Sequence, residues 1–541
     1  MYNPRNGSDF LAGFLGGRRE EENQRIAASK EQYCYNVEFR RYSEQVAMTV
    51  PNDRAVRGRF ILPLYVALTA LLCLPFFWLT FPPFVDYPNH LARSYVLMHY
   101  TEAPLFQAAY RRDYAPIYNL AIDLVVPPLA RLTGLAVAGR TFLILLIATY
   151  AAGCYLLASV IHGGRTWLAF VPLMFAYNSP LIMGFVNYYF GVALYLVVFA
   201  CWLRWKRAWS TLRVLAFAGL AAACYLSHLT SVGLLGVSVA CVSAYEYFTE
   251  RPPLRGMWIT GFSFLPVVAL YLIYVRRSAQ TGTSIQWNTV KGKLIALLAV
   301  IRTYDVGTDV VLLVCVAACL AFLILKSSKV SVSVPILICG VVLMLTFAVA
   351  PEGFVTSSAF DSRFVWPGYV LIALAFRPRI RPGYGAICFV CFMLIFLVRA
   401  GILWSYWRDL DVKISRIVRV FDQLPREQKV FPAYFESPGV KATKLDQAVK
   451  YVLCYAVISH NTYVPTMFAI KGQQPIVSRE MIRFHSWKPG AGSLWAGYDY
   501  VWTYKPPAQL VDALSRTATP IASAEESTLW SLNSVRSHAV Q

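Results

Sequence analysis

The sequence predicts a polytopic α-helical membrane protein of about eleven transmembrane helices, followed by an extramembrane α/β domain. Three observations lead there. Of the 541 residues, 57% are hydrophobic and only 15% charged, too little charge to cover a water-soluble protein of this size. Apolar stretches near the ~20 residues that a membrane helix needs recur between positions 60 and 404. Beyond 405 the composition turns mixed and polar, with a helix-like stretch at 409–424 and strand-like runs at 428–434 and 498–504. Disordered, collagenous and disulfide-rich secreted classes are excluded by the same composition.

Residues 1–57 are polar and carry the run Arg18, Arg19, Glu20, Glu21, Glu22, so they read as a cytoplasmic tail and not as a cleavable signal. Candidate spans follow at 60–80, 141–161, 166–183, 185–203, 211–227, 229–248, 256–275, 308–325, 331–350, 364–376 and 383–404, within a transmembrane domain over 58–404. The stretch 117–135 is also apolar, but Asp123, Pro127, Pro128 and Arg131 interrupt it and suit a surface or re-entrant helix. Loop charge decides between the two counts. With 117–135 kept from spanning, Arg57 and Arg59, Arg204 to Arg213, Arg251 and Arg255, Lys326 and Lys329, and Arg377 to Arg381 all fall on the cytoplasmic side. The outer face then receives 81–140, 276–307, 351–363 and a C-terminal domain over 405–541.

The 50 Lys+Arg against 29 Asp+Glu give a net charge of +21, which in a soluble chain would invite a nucleic-acid reading. Here most of it is topological. The remainder, including Arg93, Arg276, Arg277, Lys291, Lys293 and Arg363, is left on the outer side, where a phosphate-bearing lipid substrate or ordinary anionic headgroups account for it. The 12 Cys show no disulfide or zinc spacing, and most, such as Cys154, Cys224 and Cys388, sit in apolar runs as small hydrophobes.

The span centres are clear of Asp, Glu, Lys and Arg, whereas ion-coupled transporters usually bury such groups at mid-membrane. A reaction at the membrane surface is favoured over conduction. The densest polar cluster follows the first span, in Asp86-Tyr87-Pro88-Asn89-His90-Leu91-Ala92-Arg93. His90 and Arg93, three apart, share a helix face. Two readings of Asp86 stand on spacing alone: a general base beside a phosphate clamp, or a helix cap that pairs with Arg93.

A hydrophobic first helix, an Asp at the head of a long outer loop, many further spans and a soluble outer C-terminal domain together resemble the integral-membrane glycosyltransferases of the GT-C fold. The Asp86 to Arg93 run is similar to one found in bacterial membrane proteins of this type. The resemblance implies transfer of a sugar, with inversion, from a polyprenyl-phosphate-linked donor to a glycan, lipid or protein acceptor, with Asp86 as the catalytic residue. It implies a bacterial inner (plasma) membrane, with the N-terminus cytoplasmic and the C-terminal domain periplasmic. Some members use a divalent metal held by an acidic pair; this loop has no Asp-Asp or Asp-Glu pair, so a metal finds no support here.

Other outer-face candidates are Asn187 and Tyr188 at the start of a span, His228 at the junction of two spans, and Asp361 with Arg363 at the end of the short loop 351–363. Each has a plainer account: His228 as a satisfied core residue, Arg363 as a helix-end anchor. His460 and His485 are placed to touch an acceptor, although exposed His residues usually carry no function. No Gly-X-Ser-X-Gly elbow, phosphate-binding glycine loop or His-Glu-X-X-His is present. The competing classes are a transporter or flippase of a lipid-linked glycan, and a surface-polysaccharide ligase or polymerase.

Overall fold

In the computed structural model, the described residues are 53–113, 115–277, 285–354, 359–435, 444–479 and 495–532. Most of the N-terminal tail lies outside them, as does His485. The chain divides into two units, Met1–Leu64 and Tyr65–Gln541. What is described of the first is the opening of the helix Asp53–Cys73; the contacts below belong to the second.

Among the described residues, seven helical segments are long and apolar enough to cross a membrane: Phe60–Trp78, Leu135–His162, Val186–Trp205, Leu229–Thr249, Leu254–Arg276, Val306–Leu325 and Pro382–Gln423. Two shorter apolar helices, Thr211–Ser227 and Val334–Val349, accompany them. Leu325 is 80% exposed and Val349 72%, and apolar side chains this open, recurring from helix to helix, suit lipid and not water. Val186–Trp205 is the central helix, with 72% of its apolar window buried, against 22% for Val306–Leu325 at the rim.

Two of the eleven expected spans take another form. Residues 166–183 break into the 3-10 turn Trp167–Ala169 and the helices Phe170–Leu173 and Ser179–Ile182. Pro172 and Pro180 remove backbone donors there, and Asn178 caps the last piece through Leu181 N at 3.1 Å. The carbonyls this leaves open are collected by Arg399 of the helix Pro382–Val420, which donates to Met174 O at 2.8 Å, to Tyr177 O and, outside the segment, to Ile301 O at 3.0 Å. The stretch 364–376 becomes a helix of 11 residues, Val365–Ala375. At about 1.5 Å per residue it is roughly 16 Å long, about half the ~30 Å of a hydrocarbon layer. Both segments still join the two ends of the bundle: Asp86 N meets Met183 O at one end, and Arg377 reaches His162 O at the other. The stretch 117–135 contains the helix Ala121–Thr133, short of spanning length.

The helix Pro382–Val420 runs through residue 405 without a break, so the C-terminal α/β domain grows directly from the last span. Its sheet has the spatial order Val430–Tyr434, Tyr500–Tyr504, Ser527–Ser531, Thr519–Ala524, the first pair parallel and the others antiparallel. The helix Ala508–Ser515 lays Leu510 and Leu514 into a core with Phe431, Val501 and Trp530. At the His162 end, the strands Ser327–Val332 and Phe376–Ile380 form a two-stranded antiparallel ribbon.

Candidate functional site

Pro88 in the first turn starts the helix Tyr87–His99, because its missing N–H is not needed there. Asp86 is the N-cap residue, yet its side chain makes no capping bond, nor does it pair with Arg93. Its backbone is fixed instead: Val85 N donates to Ile182 O and Asp86 N to Met183 O, each at 3.1 Å. Gly184 completes this crossing at φ +74°, and a Cβ there would lie 2.6 Å from Asp86 N. No side chain fits at that point.

Three expected binding residues are spent inside the protein. Arg93, fully buried, forks onto Asp123 with Nε–Oδ1 at 2.8 Å and Nη2–Oδ2 at 2.6 Å, so it braces the helix Ala121–Thr133. Asn187 Oδ1 accepts from Ile122 N at 2.8 Å while its Nδ2 donates to Asn119 O at 2.7 Å. Asp361 accepts from Ser362 N at 2.7 Å, Asn288 Nδ2 at 3.1 Å and Lys293 Nζ at 3.3 Å. His90 also looks inward. Its Nδ1 accepts from Arg93 Nη2 at 3.1 Å and its ring bonds the Gly184 backbone, while burial and the Arg93 charge hold its pKa well down, so it is neutral.

The remaining candidates gather. Arg363, 9% exposed, points Nη1 at His228 Nε2 across 3.0 Å and lies over the rings of Phe185 at 5.5 Å and Tyr188 at 5.6 Å. Tyr188 donates its hydroxyl to the Arg363 carbonyl. His228 caps the helix Leu229–Thr249 by accepting from Thr230 N at 3.1 Å on Nδ1. A neutral imidazole offers one acceptor nitrogen, so Thr230 N and Arg363 compete for it. Arg363 and Asp86 lie within each other's electrostatic reach, as do Lys450 and Asp86. Asp86 is half-buried, and while its backbone carbonyl accepts from His90 N at 3.2 Å, its carboxylate receives no hydrogen bond from a described residue. Burial pushes its carboxyl up to about 7, against the pull of Lys450 and then Arg363.

Lys450 is the residue that sequence reasoning missed, since nothing in its neighbourhood marks it. The C-terminal domain brings it in by lying across the first loop. Asn89 Oδ1 accepts from Cys454 Sγ at 3.3 Å and from Phe468 N at 3.1 Å, and Tyr95 donates to Asn461 Oδ1 at 3.0 Å. The strand Tyr110–Arg112 pairs antiparallel with Ile476–Ser478. His460 turns to Ser459 Oγ at 2.8 Å. Among the described residues no three of His, Cys, Asp and Glu converge, and one carboxylate between two cations is a poor donor set for a divalent metal.

A bundle of membrane helices whose first loop carries a half-buried carboxylate, under a C-terminal α/β domain, has the GT-C architecture. Among solved structures the chain is similar to ArnT from Cupriavidus metallidurans, determined bound to undecaprenyl phosphate, with a TM-score of 0.51 over 87% of this chain and 97% of that one. At 11% identity the likeness establishes the shared membrane fold. No protein-family profile matches the sequence, and neither does any curated protein.

Proposed function

We propose that the protein transfers a sugar from a polyprenyl-phosphate-linked donor to an acceptor hydroxyl at the outer face of a bacterial inner membrane, with its tail cytoplasmic and its C-terminal domain periplasmic. The observation that carries this reading is Asp86: a carboxylate without a described hydrogen-bond donor, within reach of two cations, on the first loop of a GT-C fold. A base with a pKa near 7 is well matched to neutral pH. The acceptor oxygen attacks the anomeric carbon and gives its proton to Asp86. The bond from that carbon to the phosphate oxygen breaks with inversion, and the lipid phosphate leaves with the electron pair. Arg363 and Lys450 offset the charge that grows on it, and His228 with Tyr188 aim Arg363. Arg93, Asn187, Asp361 and His90 act one step back, by holding the loops in place.

The test is transfer from radiolabelled polyprenyl-phosphate sugars to lipid or glycan acceptors in proteoliposomes. Wild-type protein should label an acceptor, and Asp86→Asn should not, with an unfolding midpoint no lower than that of the wild type. Full transfer by Asp86→Asn would remove Asp86 from the mechanism; donor translocation without transfer would favour a flippase.

A further inference from the structure

The two-stranded ribbon at the end of the bundle remote from Asp86 has a charge pattern that topology alone does not demand. Its strand Ser327–Val332 lies between the helices Val306–Leu325 and Val334–Val349, and Phe376–Ile380 between Val365–Ala375 and Pro382–Val420. Four helices therefore end within two residues of it, which sets it where apolar helices leave the hydrocarbon layer. Directly opposed residues of an antiparallel pair share a face. The register pairs Lys329 with Arg379 and Ser331 with Arg377, and on the other face Val330 with Pro378 and Val332 with Phe376. Lys329, Ser331, Arg377 and Arg379 are exposed, whereas Val330, Phe376 and Pro378 are half-buried. Lys326 and Arg381, also exposed, flank the strands.

A Lys directly across from an Arg destabilises such a pair, and a two-stranded ribbon is marginal to begin with. Among the described residues none of these five cations has a carboxylate partner: Arg377 donates to His162 O at 3.3 Å, and Lys326 lies over the Tyr384 ring at 5.6 Å. Between positions 310 and 398 the sequence offers Glu352 and Asp361 as its only acids, and both belong to the loop at the Asp86 end. A positive-inside bias needs charge in loops, not a folded strand pair that holds like charges face to face. The counter-charge comes from outside the described chain, and at headgroup height the abundant anions are lipid phosphates.

We propose that the basic face of this ribbon, Lys329, Arg377 and Arg379 with Lys326 and Arg381 at its edges, is a docking site for the headgroups of anionic phospholipids. The ribbon is stapled to the membrane surface by them, independently of the reaction at Asp86.

The experiment uses the full chain in nanodiscs of phosphatidylcholine with and without phosphatidylglycerol, reading lipid retention by native mass spectrometry. The wild type should retain phosphatidylglycerol selectively. Each cation removed weakens binding to an anionic surface about fivefold, so Lys329→Gln with Arg379→Gln should lower retention about 25-fold. Lys329→Arg with Arg379→Lys, which keeps both charges, should retain it fully, and so should the charge-matched control Arg251→Gln with Arg255→Gln. Equal loss in that control, unchanged retention in the ribbon variant, or displacement of the lipid by inorganic phosphate would overturn the proposal.

Discussion

Replacing Asp86 by Asn should make the protein more stable above pH 7 while abolishing its chemistry. The carboxyl is raised from its ordinary 3.8 to about 7 by burial. The folded state therefore binds the proton more tightly than the unfolded state. Below about pH 4 both states are protonated and the group costs nothing; the cost grows as pH rises from 4 to 7, and is fully present above 7. About three pKa units at about 1.36 kcal/mol each give at most ~4 kcal/mol, and because Asp86 is half-buried, solvent screening brings this to roughly 2 kcal/mol. Asn is neutral throughout. In denaturant titrations of the purified protein in detergent, the stability difference between Asp86→Asn and wild type should rise from near zero at pH 4 to about 2 kcal/mol at pH 8. A variant less stable at pH 8, or a difference that ignores pH, would mean that the ionised carboxylate is held by favourable contacts, and the reasoning would fail.

Three further outcomes follow from the same geometry. Asp123→Asn leaves Arg93 buried without its partner and should lower the unfolding free energy by about 3 to 5 kcal/mol, whereas Arg93→Met with Asp123→Leu should recover most of it; no recovery would show that the pair does more than pay for its own burial. Gly184→Ala places a Cβ 2.6 Å from Asp86 N at a φ of +74°, so kcat should fall at least about tenfold by displacing the base, and an unchanged kcat would show the site tolerates the shift. Lys450→Met removes the larger of the two pulls that lower the Asp86 pKa, so the acid limb of kcat/KM should move to higher pH; a limb that moves down would mean another group titrates.

Hydropathy located nearly every element but not its form. The stretch 166–183 is apolar throughout, and a sliding count cannot see that Pro172, Asn178 and Pro180 break it or that Arg399, far along the chain, collects its carbonyls. The strands at 428–434 and 498–504 were legible because these runs are short and rich in β-branched and aromatic residues, whereas their parallel pairing in one sheet is set by tertiary structure. In the site, the Asp86 loop stood out by polar density, and His228 and Arg363 by their place at span ends. Arg93, Asn187 and Asp361 share those signals, yet their partners, Asp123, Ile122 and Lys293, lie on other segments, and such pairing is set by tertiary packing. Lys450 had no local signal because its proximity to Asp86 is created by the C-terminal domain lying across the helix Tyr87–His99.

That overlap also imposes an order on the birth of the protein. The carboxylate emerges early in synthesis, but the ammonium that faces it arrives only after the final membrane helix has been inserted and the tail has folded back. A nascent or truncated polypeptide thus carries the Asp86 carboxylate without its full electrostatic counterpart.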